Sequence, residues 1–225
     1  MPATFTEGQY PSDWLKGEQQ NPTHFSREQI TVRAGSGSAR SLTSGMVIAK
    51  RTTGAATAEA DGGNTGQGAM SAVTVAANAK VGVYSVEFVE AASGGGRFEV
   101  RDPNGVMIGE GVVGSAFAQE IGFTISDGDP DFVVGDKFAV TVAAGDGKVV
   151  QIDFDEATGD EDAHGVLFAD VEAPDGADAQ GVAIVRNAAI VASQLTWPAG
   201  ATTQQKATAL AQLAANGVIE RTVEA

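Results

Sequence analysis

The 225-residue chain has no cysteine, so disulfides, thiolate nucleophiles and Cys-ligated zinc or iron–sulfur sites are excluded. Histidine is nearly absent as well: His24 and His164 are the only two, far apart in sequence, and no H-x-x-x-H or H-E-x-x-H pair exists to build a metal centre. No run of about 18 apolar residues is present, so no membrane-spanning helix is expected. The N-terminus MPATFTEGQYPSDW has neither a basic nor an apolar stretch, so no secretory signal is expected. Basic residues are scarce. With 14 Lys and Arg against 29 Asp and Glu, the net charge of −15 argues against wrapping nucleic acid, which needs cationic clusters to displace counterions.

The acidity is uneven. Residues 1–45 hold four acids and four bases, residues 55–147 thirteen against four, and residues 148–225 twelve against four. A neutral leading segment on an acidic body points to a separate role for that segment. It lacks a sustained period of 2 or 3.6, yet it carries spaced aromatics, Phe5, Tyr10, Trp14 and Phe25. Two readings stand: a disordered tail, or an arm that orders against a partner by strand addition or by seating aromatics in pockets. The short apolar run Met46–Ala49 follows.

Residues 55–68, AATAEADGGNTGQG, read as a linker. Beyond it, alternation is clean in VYSVEFVE, RFEVR, EIGFTIS and KFAVTVA. Tyr84, Val86 and Phe88 are predicted to face one way, as are Phe98 and Val100, Ile121, Phe123 and Ile125, and Phe138, Val140 and Val142. Segments of this period split by Gly, Asp and Asn turns predict an antiparallel β-sandwich with one solvated face per sheet. A second linker, AAGDG, closes this unit near residue 147.

The densest acidic stretch, DGDPDFVVGD (127–136), lies between two of those strands. An EF-hand loop starting at Asp127 would need Gly and Glu where Phe132 and Phe138 stand, so a connecting turn is predicted. A second cluster, Asp153, Asp155, Glu156, Asp160, Glu161 and Asp162, has the residue types of a glycosidase pair. Crowding on one loop without aromatic platforms predicts a solvated, repulsive surface loop instead. His164 beside it is read as a surface residue. With no G-x-S-x-G elbow and no G-x-x-x-x-G-K-[ST] loop, no catalytic residue, metal or cofactor is assigned, and the chain is read as not an enzyme.

VVQIDFD resumes the alternation with Val150, Ile152 and Phe154 inward. A single helix closes the chain. Thr202 or Thr203 can cap it, Ala207, Leu210, Leu213 and Ala214 form its predicted apolar stripe, and Asn216-Gly217 stops it.

Residues 163–221 carry GVLFADV before a small-residue loop, paired strands ending in LTWP (195–198), and a short helix before GVIER. With SLTSGMVIAK (41–50) as a first core strand, this pattern resembles the phage lambda-type head decoration proteins. The resemblance implies a mainly β fold with one short C-terminal helix: a β-tulip-like decoration core from 46–54 and 148–225, and an extended capsid-binding arm, 1–45. Residues 55–147 then become an inserted β-rich domain. It implies a homotrimer on the three-fold positions of the outer capsid surface of a virion, made in the host cytoplasm. The arm would pair with the major capsid protein and stabilise the shell. On that reading Thr4, Phe5, Tyr10, Trp14, Leu15 and Phe25 are the arm contacts, while Trp197, Pro198, Leu210 and Leu213 belong to the trimer core. Residues 55–147 would project outward and could touch neighbouring trimers. A β-sandwich adhesion or carbohydrate-binding module is the alternative.

Overall fold

The computed structural model describes residues 8–21 and 24–221. The chain divides into two compact units, one formed by Met1–Arg51 with Gly147–Ala225, the other by Thr52–Asp146.

The first unit is built on a closed five-stranded barrel. Its strands run, in order around the wall, Val149–Gln151, Arg27–Val32, Ala179–Ile184, Ala163–Leu167 and Val47–Lys50, which returns to Val149–Gln151. Closure leaves no open edge in this wall. Side chains on one side of the wall, Ile30, Val32, Ile48, Val149, Leu167, Ala183 and Val185, form one apolar cluster. Those on the other, Val47, Ala49, Val166 and Ile184, join Trp14, Ile190, Ala209, Leu213 and Val218 in a second.

Both faces of the wall are therefore buried in places. This is why Val149 and Val150 are both inaccessible, where alternation predicts only Val150 to be inward. The strand Arg27–Val32 also corrects the expectation that residues 1–45 form an arm without a period of their own. Ile30 and Val32 are buried, and the strand pairs antiparallel along its whole length with Ala179–Ile184, from Ala179↔Val32 to Ile184↔Arg27.

The helix Thr203–Ala215 packs on the second cluster through Ala209 and Leu213, with Leu210 half-buried. Thr202 caps it: its Oγ1 accepts from the Gln205 backbone N–H, and Gln205 Oε1 accepts from the Thr202 N–H at 2.8 Å. Ala207 and Ala214 are exposed, not part of the apolar stripe, so the buried face is narrower than predicted. Gly217 takes φ +80° just beyond it, the conformation a glycine stop requires.

The second unit stacks two antiparallel sheets on one core. The larger has the order Met107–Val112, Arg97–Arg101, Gly82–Glu90, Lys137–Ala144, Thr53–Ala60; the smaller runs Ala116–Ala118, Ile121–Thr124, Thr74–Val75. The alternation read from sequence holds, with Tyr84, Val86, Phe88, Phe98, Val100, Ile121, Phe123, Ile125, Phe138, Val140 and Val142 all buried. The expected linker 55–68 is different. Its first part belongs to the strand Thr53–Ala60, paired with Lys137–Ala144 from Thr53↔Ala144 to Ala60↔Phe138. Ala and Gly, which fill most of this strand, have little intrinsic β preference, and the ladder supplies what propensity does not.

The loop 127–136 is a corner with an anchor. Phe132 is buried and stacks on Phe88 with ring centroids 4.2 Å apart. The Asp136 carboxylate, almost fully buried, accepts the backbone N–H groups of Thr65, Gly66 and Val133 at 2.9 to 3.0 Å. Burial pushes its pKa up, but the three N–H donors prevail and hold it below the ordinary carboxylate range.

Candidate functional site

The segment singled out from sequence is the N-terminal one, and most of its described part is tied down. Gln9 is the first fixed point. Its side chain donates to the Gln194 carbonyl and its Oε1 accepts from Thr196 Oγ1 at 2.9 Å. The one-turn helix Pro11–Trp14 follows, its start held by Asp13 Oδ2 accepting the Tyr10 N–H at 2.9 Å. Pro11 suits that first turn because its missing N–H would have no helical partner there.

Trp14 is fully buried. Its Nε1–H donates to Ser44 Oγ at 3.1 Å, and that hydroxyl in turn donates to the Phe168 carbonyl at 2.9 Å. Ser44 N–H reaches Asp170 Oδ1 at 2.7 Å, and the Trp14 carbonyl accepts from Val191 N–H at 2.8 Å. Gly45 makes room for this docking. At φ +80° it sits where a Cβ would lie 2.8 Å from Gln9 Oε1 and 3.0 Å from the Trp14 ring.

The chain then runs as the strand Leu15–Glu18, antiparallel to Ala188–Ile190 with Leu15 opposite Ile190. Val218–Glu220 pairs parallel on the other side of that strand, so the N- and C-terminal strands share one three-stranded sheet. Glu18 pairs with Arg27, whose guanidinium carbon lies 3.9 Å from the centroid of the Phe168 ring.

The sequence-derived arm contacts thus separate. Trp14 is a core residue of its own unit and Leu15 is half-buried against the same cluster; neither is free to enter a pocket on another protein. Tyr10 is 54% exposed. Phe25 pairs through its backbone with Gln20. Thr4 and Phe5 lie outside the described residues. Among the trimer-core candidates, Leu213 is buried inside its own unit, whereas Leu210, Trp197 and Pro198 are half-buried. Pro198 lines a hollow of about 100 Å³ with Asp153, Phe154, Asp155 and Gln205.

The acidic loop 153–162 is solvated as expected at Asp153, Asp155, Glu156 and Asp162, but it is anchored at Asp160. Asp160 is buried and ion-paired with Arg51, whose Nε lies 3.1 Å from Asp160 Oδ2. Burial, with Asp162 and Asp160 close by, pushes the Glu161 carboxyl up despite N–H donors from Glu161 and Gly159. Gln212 ties the loop to the helix: its Oε1 accepts Ala163 N–H at 2.8 Å and its Nε2 donates to Asp162. His164 sits half-buried on the strand Ala163–Leu167 rather than on the loop, and burial followed by Lys50 depresses its pKa. The signal for this arrangement was Arg51, a cation beside an acid-rich stretch in the fold though not in the chain.

In the second unit the densest polar cluster is Lys80, Tyr84, Asp102 and Glu120. Lys80 Nζ lies 2.6 Å from Asp102 Oδ2 and 2.7 Å from Glu120 Oε1, and Tyr84 OH donates to Glu120 Oε2 at 2.8 Å. Burial raises the Tyr84 phenol to about 12, with Glu120 adding to it. Asp102 Oδ1 also accepts from Asn104 and Val106 N–H, so the cluster pins the 102–106 turn against the smaller sheet. Among the described residues no group of three or more His, Asp or Glu is placed to hold a metal ion, and no helix is long and apolar enough to cross a membrane.

Comparison with known proteins adds the context. No curated protein matches the chain. Two crystal structures of Xanthomonas campestris FlgL are similar over 48% of this chain, at 24% identity and TM-score 0.32. The match spans 34% and 33% of the FlgL chains, about a third of their length, and at that TM-score it carries no argument. The family model for bacteriophage lambda head decoration protein D matches residues 4–218. That span takes in the barrel, the docked N-terminal segment and the whole Thr52–Asp146 unit, so the chain belongs to the bacteriophage lambda head decoration protein D family.

Proposed function

We propose that this protein is a cement subunit that binds the outer surface of a phage head as a homotrimer at three-fold positions and stabilises the shell. The single observation that carries the reading is the family match across residues 4–218. Production in the host cytoplasm and a non-enzymatic role accompany it.

The docking of Gln9 to Trp14 narrows the capsid-binding arm. Gln9 and the stretch Pro11 to Glu18 are engaged within the subunit's own fold. The pairing with the major capsid protein is therefore assigned to residues before Gln9, with Thr4 and Phe5 as its contacts and exposed Tyr10 at its base. Backbone hydrogen bonds added by such a strand contribute only about 0.5–1.5 kcal/mol each net. Three arms on one trimer turn weak contacts into firm attachment through effective concentration. The half-buried Trp197, Pro198 and Leu210 remain the candidates for contacts between subunits, and Leu213 leaves that set because its own core holds it.

The glycan-binding alternative has less support. The hollow of about 350 Å³ on the larger sheet of the second unit is lined by Glu59, Asp61, Val83, Ser85, Lys137 and neighbouring residues. Its one aromatic pair, Tyr84 and Phe138, is buried and offers no open ring face for a sugar to stack on.

The test is a chain lacking residues 2–8, mixed with undecorated heads and sedimented. Loss of co-sedimentation with an unchanged fold is expected, and cryo-EM of heads decorated by the full chain should place density at three-fold positions. Undiminished attachment of the shortened chain would overturn the arm assignment.

A further inference from the structure

The second unit leaves one sheet edge open. Thr53–Ala60 ends the five-stranded sheet and bonds on one side to Lys137–Ala144. In an antiparallel pair, alternate residues of an edge strand send N–H and C=O away from the sheet. Among the described residues, no hydrogen bond reaches residues 54–60 from that outer side. Ala55, Thr57, Ala58, Glu59 and Ala60 are all exposed.

The opposite edge, Met107–Val112, is built differently. It carries Gly109 and Gly111, a register shift at Val100/Arg101, and Glu110 held by Arg97. Beyond it the chain turns into the smaller sheet through Gly114 N–H to the Ile125 carbonyl at 2.8 Å. Bulges, charges and covering are the devices by which sheet proteins blunt their edges. From Ala56 to Ala60 the strand has no proline, no lysine and no register shift; the one irregularity falls between Thr53 and Ala56, at Gly54 and Ala55. Only Glu59 is larger than threonine.

We propose that Thr53–Ala60 is a self-pairing edge, to which the same strand of a second copy of this chain adds antiparallel about a two-fold axis. Small side chains and a nearly neutral edge admit a second copy, and the one charge sets the register. The unit holds thirteen acids against four bases, so most approaches of two copies are repulsive. At this edge Glu59 is the only charged residue.

With the axis at Thr57, Thr57 faces its own counterpart, Ala56 faces Ala58, and Glu59 faces Ala55. The two Glu59 carboxylates then stand four residues apart along the pair, about 14 Å. That exceeds the Debye length of about 8 Å at physiological salt, so they are largely screened. The small side chains let the backbones approach, and the free donors and acceptors of one copy meet those of the other. An isologous contact of this kind needs only one surface patch. The pairing stands on the second unit alone and holds whether or not the capsid reading does.

The absence of cysteine gives a clean test in the full chain. Thr57→Cys and, on the opposite edge, the similarly exposed position Val112→Cys are oxidised mildly in solution without shells. Disulfide-linked dimers of T57C should form about tenfold faster or more, because pairing raises the local thiol concentration. Adding Ala58→Lys, an edge-guarding charge, to T57C should remove the advantage, and light scattering of the cysteine-free chain should show a two-fold step in mass, over and above any trimer, that A58K abolishes. Equal cross-linking rates for T57C and V112C, or a T57C rate that A58K leaves unchanged, would overturn the proposal.

Discussion

Trp14→Ala tests the sharpest departure of the structure from a free arm. The ring is fully buried, and an indole buries on the order of 200 Å². At about 25 cal/mol per Å² the transfer contribution is near 5 kcal/mol, an upper value because unfolded chains already bury some apolar surface. Truncation of buried tryptophan costs about 3–5 kcal/mol. The Ser44 hydroxyl loses its donor but still donates to the Phe168 carbonyl, so the hydrogen bond adds only about 1 kcal/mol. The expected loss is about 4–5 kcal/mol, a large part of the roughly 5–15 kcal/mol available to a domain.

Guanidinium unfolding followed by tryptophan emission is the assay. The chain has two tryptophans, Trp14 and Trp197, both in the first unit, so the signal ignores the second and Trp197 still reports in the variant. The two units should unfold in separate transitions, with circular dichroism showing the second unmoved. Trp14→Phe should cost about half as much. A loss below about 1 kcal/mol for Trp14→Ala would show that the ring is not core, in line with surface substitutions, and would return it to the arm.

Two further outcomes are expected. Arg51→Ala strands the buried Asp160 carboxylate and should lower the stability of the first unit by about 3 kcal/mol or more, while Arg51→Met with Asp160→Leu costs less; the same emission assay compares them. Asp136 carries a pH signature. Its folded pKa is depressed, so its contribution is complete above the unfolded value of about 3.9 and is lost as pH falls through the folded value. Circular dichroism of the second unit should show acid sensitivity below about pH 4, and Asp136→Asn should flatten that dependence while lowering stability at neutral pH.

Much of the second unit is legible from local pattern. Tyr84-x-Val86-x-Phe88 and Phe138-x-Val140-x-Val142 declare their inward faces because a strand with one buried side has a period of two, and that constraint lies within a few residues. The Thr202 cap and the Gly217 stop are equally local, each being a hydrogen-bonding or φ requirement at a helix end. Phe5, Tyr10 and Trp14 stand out as aromatics in a polar segment, but not which of them turns inward. That choice depends on Ser44 for the indole N–H and on Gly45 for space, thirty residues further along.

Arg27–Val32 carries only a short β-branched run, Ile30 to Val32, and Thr53–Ala60 only two threonines among small residues. Pairing with Ala179–Ile184 and with Lys137–Ala144 completes them as strands. Asp160 reads as one of many surface acids until Arg51 is brought beside it. Side-chain pattern along the chain records which face of a segment meets the core. It does not record which distant segment lies opposite, because long-range pairing and the desolvation of a charge are properties of two stretches together.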